Sequence, residues 1–374
     1  MAPRAVVAVV VILLLLGAAA VGFLAFRPAS PPSTTSTTEQ PSGVTSTTAT
    51  STTRTSSLDT TTTSVVSSVM SSASSTTSTN PEGLKGVTFS PATYDGPGIS
   101  DFLSKASQAG QILEWAGDWD ELAPGGAPAT IAGLAAQNGM KLMVVVQFFE
   151  QSTGDLLRPL NSTNEQNYLA LTEAFVKQYR PAYLGVGIEV NILYQKNSTS
   201  FQEFVQLYGQ VYDEVKAASP GTAVFTIFQL EMMNGLDGGL YGGVNDPNST
   251  EWQLLSLFKT DVAAFTTYPG LIYQDPSDIP ADYYGSLSSH VNESVGFTEI
   301  GWHSGNVSGG WESSEQEQAT FVSDFFALTQ GLDKAFSIWS FLFDQSAAVP
   351  FNTMGLFYVN GTAKLALQTW LSEP

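Results

Sequence analysis

From Gly86 to the C-terminus, short, almost unbroken apolar runs alternate with longer amphipathic stretches, and the alternation repeats eight times. The apolar runs cover residues 86–89, 111–115, 140–148, 183–188, 222–228, 262–267, 294–300 and 335–341. A strand that reads as a continuous apolar run is buried on both faces, as in a parallel sheet covered by helices. The stretches between them, 99–108, 128–137, 163–179, 200–218, 252–259, 281–289, 314–329 and 363–371, read as helices, that at 281–289 weakly so. Ser100 and Ser162 or Thr163 are the expected caps of the first and third. Leu169, Leu171, Phe175 and Val176 are the expected inward face of the third, and Gly139 the left-handed stop of the second. Eight strand–helix units in about 290 residues fit an α/β fold of the (β/α)8 TIM-barrel type. An open doubly wound sheet is the alternative, but Phe89-Ser90-Pro91-Ala92 stands where its Gly-rich phosphate turn belongs.

Two other zones precede this one. Residues 1–29 hold an apolar run, 5–26, between Arg4 and Arg27. That length can span a bilayer and exceeds the usual apolar core of a signal peptide, so a retained transmembrane anchor is favoured over a cleaved signal. Residues 30–80 contain 34 Ser or Thr and no Phe, Tyr or Trp. Such a tract cannot bury enough apolar area to offset backbone ordering, and reads as a disordered, glycosylated stalk or a bare linker. The expected organisation is anchor 1–29, stalk 30–80 and barrel 81–374, held at the outer face of the membrane or secreted. Six Asn-x-Ser/Thr sequons in the barrel, at Asn161, Asn197, Asn248, Asn292, Asn306 and Asn360, agree with an exported glycoprotein.

Composition removes whole classes of chemistry. A formal net charge of -20 disfavours a nucleic-acid partner. The absence of cysteine excludes disulfides, thiolate nucleophiles and iron–sulfur centres, and two histidines exclude multi-histidine metal sites. No ordered carboxylate cluster suggests Ca or Mg, and no organic cofactor is expected.

In a barrel the chemistry sits at the C-terminal strand ends. The fourth predicted strand ends Gly187-Ile188-Glu189-Val190-Asn191, and the seventh ends Thr298-Glu299-Ile300-Gly301-Trp302. Each Glu breaks an apolar run; alone, each reads equally well as a solvated loop residue. Together, facing across a barrel mouth, they suit glycoside hydrolysis, with one protonated carboxyl as acid and one carboxylate as nucleophile. A retaining mechanism predicts a carboxyl separation of about 5–5.5 Å. Tyr268, ending the sixth strand, is placed to donate to Glu299. Trp302 and Trp339 on strands seven and eight, with Trp115 and Trp119 at the second, are candidate platforms for sugar rings, core packing being the alternative. Gln147, Gln229 and His303 are candidate partners of sugar hydroxyls or plain loop residues, and His290 reads as surface. Ser337 and Ser340 suggest a polar mouth. Loops 236–250 and 306–314 are expected to shape the substrate cleft.

At these residues the third zone resembles clan A of the glycoside hydrolases. Phe297-Thr298-Glu299-Ile300-Gly301-Trp302-His303-Ser304 is similar to the nucleophile segment of endo-beta-1,4-galactanases and beta-1,3-glucanases. Tyr268-Pro269 matches their strand-six tyrosine. Ser337-Ile338-Trp339, then Gly355-Leu356-Phe357 and Asn360-Gly361 through Lys364 and Trp370, resembles the clan's last strand and helix. The resemblance implies a TIM barrel with Glu189 as acid/base and Glu299 as nucleophile, and in that mechanism Trp339 is expected to floor the sugar site. One position departs: the clan places Asn directly before the acid/base, where this chain has Ile188, and Asn191 follows two residues later. The expected function is a retaining hydrolase of beta-linked polysaccharide or oligosaccharide. A non-catalytic or weakly catalytic surface sugar-binding barrel is the alternative.

Overall fold

The computed structural model describes residues 83–307 and 311–374. The expected apolar span and the Ser/Thr tract lie outside them. Among the described residues no helix is long and apolar enough to cross a membrane.

Nine strands form one parallel sheet: β1 (Leu84–Thr88), β2 (Ile112–Asp118), β3 (Lys141–Gln147), β4 (Tyr183–Val186), β5 (Ala223–Phe225), β6 (Ile227–Gln229), β7 (Ala263–Thr267), β8 (Val295–Ile300) and β9 (Lys334–Trp339). Their order is β5-β4-β3-β2-β1-β9-β8-β7-β6. The two terminal strands of that order are consecutive in the chain and separated by Thr226 alone. β5 pairs with β4 and β6 pairs with β7. They are therefore the lower and upper halves of one barrel strand, and the chain itself closes the ring. The eightfold expectation holds once these halves are counted as one.

Burial follows the period of two that a strand dictates. Ile112, Met143, Val145, Ile227, Phe336 and Ile338 belong to a small cluster inside the ring. Their alternates, such as Leu113, Val144, Phe228 and Trp339, belong to the larger cluster between ring and helices. The main outer helices are α1 (Gly96–Ala109), α2 (Ala127–Gln137), α3 (Ser162–Tyr179), α4 (Val190–Lys196), α5 (Ser198–Ala218), α6 (Leu230–Met233), α7 (Glu315–Leu328) and α8 (Leu365–Ser372).

Local chemistry moves several expected boundaries. Asp95, not Ser100, caps α1: its side chain accepts from Gly98 N, and a proline occupies the first turn, where no N–H is needed. Asn161, not Ser162 or Thr163, caps α3 by accepting from both Thr163 N and Asn164 N. The buried stripe of α3 is Tyr168, Thr172, Phe175 and Val176, with Leu169 and Leu171 only half-buried. Gly139 is left-handed, with φ of 66°, as expected. Residues 252–259 and 281–289 yield only 3-10 turns, Trp252–Leu257 and Gly285–Ser289.

Candidate active site

Strand β4 stops at Val186 because the next residues leave the extended region. Gly187 has φ of 84°, and Glu189 itself is left-handed at φ 53° and ψ 47° before α4 begins. A Cβ on Gly187 would lie 2.6 Å from both the Phe204 ring and Val190. Left-handed backbone at a non-glycine residue costs on the order of 1–3 kcal/mol and persists only where its surroundings hold it. Here two side chains hold the carboxyl: Thr266 Oγ1 donates to Glu189 Oε1 at 2.7 Å and Gln229 Nε2 at 3.2 Å. Glu189 Oε2 is buried and has no partner.

Glu299 lies on β8, directly beside Thr266 in the β7–β8 ladder. Tyr268 OH donates to Glu299 Oε2 and also meets Ser340 Oγ at 2.8 Å. Gly301 makes this possible, since a Cβ there would stand 2.8 Å from the Tyr268 ring and 2.9 Å from the Met354 sulfur. The expected Tyr268–Glu299 pairing and the polar role of Ser340 are thus found in the structure. Glu299 keeps some exposure, whereas Glu189, Gln229 and Tyr268 are buried.

The electrostatics follow from burial. Desolvation pushes Glu189 well above the usual carboxylate range, and the neighbouring Glu299 charge pushes it further. Desolvation also raises Glu299, and the Tyr268 hydrogen bond pulls against it. Tyr268 is itself pushed up, by burial first and then by Glu299, so it remains a donor.

Three further polar side chains around these carboxyls were not singled out from the sequence. Glu114, buried on β2, accepts from Thr88 Oγ1 at 2.9 Å and is raised by burial and then by Glu299. Glu114 interrupts the apolar run 111–115, the same signal that marked Glu189 and Glu299. Glu231, on α6, accepts from Tyr268 N at 2.9 Å, Tyr283 OH at 2.8 Å and Thr267 Oγ1 at 3.1 Å. Tyr241, in the loop expected to shape the cleft, accepts from Gln229 Nε2 at 2.9 Å.

Several expected sugar contacts are spent on the fold. Trp339 is fully buried against Phe321 and Trp370, with its indole N–H donated to Met354 O at 2.9 Å. It follows Ile338 on the strand and so faces the helices, not the mouth. Trp302 is fully buried, lies against Phe321 and donates to Ser313 Oγ. Trp119 is buried beside Phe148 and Tyr168, under the Arg158 guanidinium, and Trp115 is buried in the same outer cluster. None of the four offers a free ring face. Gln147 turns back to Phe149 O and Gln151. His303 is wholly buried rather than exposed in a loop, and desolvation lowers its pKa to about 4. His290 stacks on Trp252 with ring centres 4.0 Å apart.

Asn191 does not face the mouth either. Its amide accepts from Gln229 N at 2.9 Å and donates to Gln229 O at 3.1 Å, and also donates to Glu251. β4 has already ended here, so a side-chain amide supplies the rung that a strand would. That rung fixes Gln229 and hence the Glu189 carboxyl.

A cavity of about 560 Å³ lies at the opposite end of the ring, beside Lys141, Ala182 and Thr222. It has no carboxylate in its lining. Among the described residues no group of three His, Cys, Asp or Glu side chains is arranged to hold a metal ion.

No family model matches the chain, and no curated protein matches it. Solved structures do. GH5_18 from Streptomyces cattleya, in complex with GlcNAc, superposes with a TM-score of 0.59 at 16% identity, covering 78% of this chain and 79% of that one. The GH53 catalytic domain of Ignisphaera aggregans gives 0.55 at 15%, covering 77% and 95%. Xylanase 10B of Thermotoga maritima gives 0.54 at 13%, covering 77% and 94%. The chain has the barrel fold of these clan A glycoside hydrolases.

Proposed function

We propose that the barrel is a retaining glycoside hydrolase acting on beta-linked polysaccharide or oligosaccharide, with Glu299 as nucleophile and Glu189 as acid/base. The observation that carries this reading is that Glu189 and Glu299, from two different strand ends, meet around Thr266. Thr266 donates to the first and stands beside the second. In the first step a Glu299 oxygen bonds to the anomeric carbon, while the bond to the departing oxygen breaks and takes a proton from Glu189. In the second, Glu189 takes a proton from water as the water oxygen displaces Glu299. The assignment of roles follows the environment. Glu189, without a phenol donor and raised by the Glu299 charge, holds its proton. Glu299, receiving the Tyr268 hydroxyl, is the better anion.

The carbohydrate-binding alternative is favoured by Ile188, which sits in the apolar cluster inside the ring where the resembled clan carries Asn. It is weakened by the burial of Trp115, Trp119, Trp302 and Trp339, the four candidate platforms, since a binder without catalysis needs an aromatic platform. An outer-face or secreted location, with the first 80 residues as anchor and stalk, is part of the same proposal. Five of the sequon asparagines are exposed and Asn197 is half-buried, which is compatible with glycans.

The test uses the full chain on a panel of beta-linked polysaccharides, with Glu299→Gln alongside. Release of sugar with retained anomeric configuration, lost in the variant, supports the hydrolase. Binding without cleavage by both, in folded protein, would transfer the proposal to the sugar-binding module.

A further inference from the structure

The two-carboxylate mechanism leaves Glu114 without a task. It occupies β2 between Ile112 and Ala116, both associated with the cluster inside the ring, so the pleat directs it inward. Thr88, its register partner on β1, spends its hydroxyl on Glu114 Oε2. A third carboxyl therefore stands in the ring within the field of Glu299.

The donors and acceptors around these carboxyls do not balance. The Thr88 hydroxyl is used by Glu114, the Thr266 hydroxyl by Glu189 and the Tyr268 hydroxyl by Glu299. Both amide hydrogens of Gln229 are used, by Glu189 and Tyr241. Two polar atoms are left over. Gln229 Oε1 and Glu189 Oε2 are both buried without a partner. Gln229 is inward-facing by the same alternation, two residues beyond Ile227, and its amide nitrogen already touches Glu189, so its free oxygen lies beside the Glu189 carboxyl. The hydrogen bonds to Glu114, Glu189 and Glu299 among the described residues come from Thr88, Gln229, Thr266 and Tyr268, all of them neutral donors. Buried carboxyls and a free amide acceptor without a cation are completed by a ligand that brings donors and a positive charge, and such a charge draws Glu114 and Glu299 toward their ionised form. The three carboxyls do not converge as a metal site. An ammonium group on a sugar ring has three donors, no acceptor and the required sign.

Building on the hydrolase reading, we propose that this cleft takes a beta-linked amino sugar carrying a free ammonium, of the glucosamine type, and that Glu114 selects it. Glu299, the member with some exposure, marks the way in. The position held by Ile188 offers no hydrogen bond to a ring hydroxyl, so recognition passes to the charged substituent instead.

The experiment measures binding by calorimetry, separately from hydrolysis, with the full chain. The probes are beta-1,4-linked glucosamine tetrasaccharide, its N-acetylated counterpart and cellotetraose. High salt screens the diffuse attraction of the acidic surface. The expected result is a preference for the glucosamine oligomer of about tenfold or more, the scale of a charge-assisted hydrogen bond. That preference should fall to within about twofold in Glu114→Gln and survive in part in Glu114→Asp. Equal affinity for the three probes in the parent protein overturns the proposal without requiring any variant to fold. So does a preference that Glu114→Gln leaves intact. Cleavage of neutral glucans with no preference for the amine would refute this inference and keep the hydrolase. The amine preference without cleavage of any probe would do the reverse.

Discussion

The Thr266 hydroxyl donates to the Glu189 carboxyl at 2.7 Å, although the two residues lie 77 positions apart in sequence. Its backbone meanwhile pairs with Glu299 in the β7–β8 ladder. One threonine thus ties the height of Glu189 to that of Glu299, and slippage of β7 would move both.

Replacing the carboxyls separates their roles. Glu299→Gln should abolish turnover on every substrate, because no bond to the anomeric carbon can form. Glu189→Gln should lose about 10²–10⁴-fold on substrates with a poor leaving group, the contribution of general acid catalysis. It should lose far less in glycosylation with an activated aryl leaving group, which departs without a proton. Steady-state and burst kinetics on aryl glycosides check this, and equal losses on both substrate types would remove Glu189 from the acid role.

Tyr268→Phe removes the hydrogen bond that pulls the Glu299 pKa down. The nucleophile must be ionised, so the acidic limb of the pH profile should move to higher pH, with kcat/KM falling about 10- to 100-fold. An unmoved limb would mean that Tyr268 serves packing only.

Trp339→Phe should cost stability while leaving kcat/KM within about threefold, since the indole packs against Phe321 and Trp370. Trp339→Ala should cost about 3–5 kcal/mol as a buried aromatic truncation. A folded Trp339→Phe protein that loses substrate affinity would restore the tryptophan to the sugar site.

Folding stability should fall as pH rises from about 5 to about 8. Glu114, Glu189 and Glu299 all have folded-state pKa values raised by burial. The unfolded chain gives up these protons first, so the stabilisation is complete below the usual carboxylate range and disappears as pH passes the raised values. Thermal melts across this interval check it, and Glu114→Gln should flatten the slope. A melting temperature that rises with pH, with the variant unchanged, would place Glu114 in contact with a neutralising group.

Much of this was legible because burial imposes periodicity. Eight apolar runs announced eight barrel positions, and Glu189 and Glu299 were visible as charges ending such runs. The break at Thr226 was not, because the run 222–228 is apolar throughout and only pairing to different neighbours divides it. Glu114 carried the same signal inside the run 111–115, but a pair of carboxylates already met the needs of the chemistry. The tryptophans misled for a different reason. Composition gives a ring's chemistry, but one residue of register decides whether it faces the mouth or the helices, and Trp339 falls on the far side of that choice from Ile338. Asp95 and Asn161 were passed over as caps because a hydroxyl was available nearby in both cases.

The amide of Asn191 stands in for a missing peptide group, giving and taking one hydrogen bond with Gln229. The consequence is a site of unusual intolerance with no chemistry of its own. Aspartate can accept but not give, and would add an anion beside Glu251. Leucine can do neither, and glutamine is one methylene too long for the gap. Saturation of this position should therefore return the parental side chain almost alone, as a keystone would be returned by any survey of an arch.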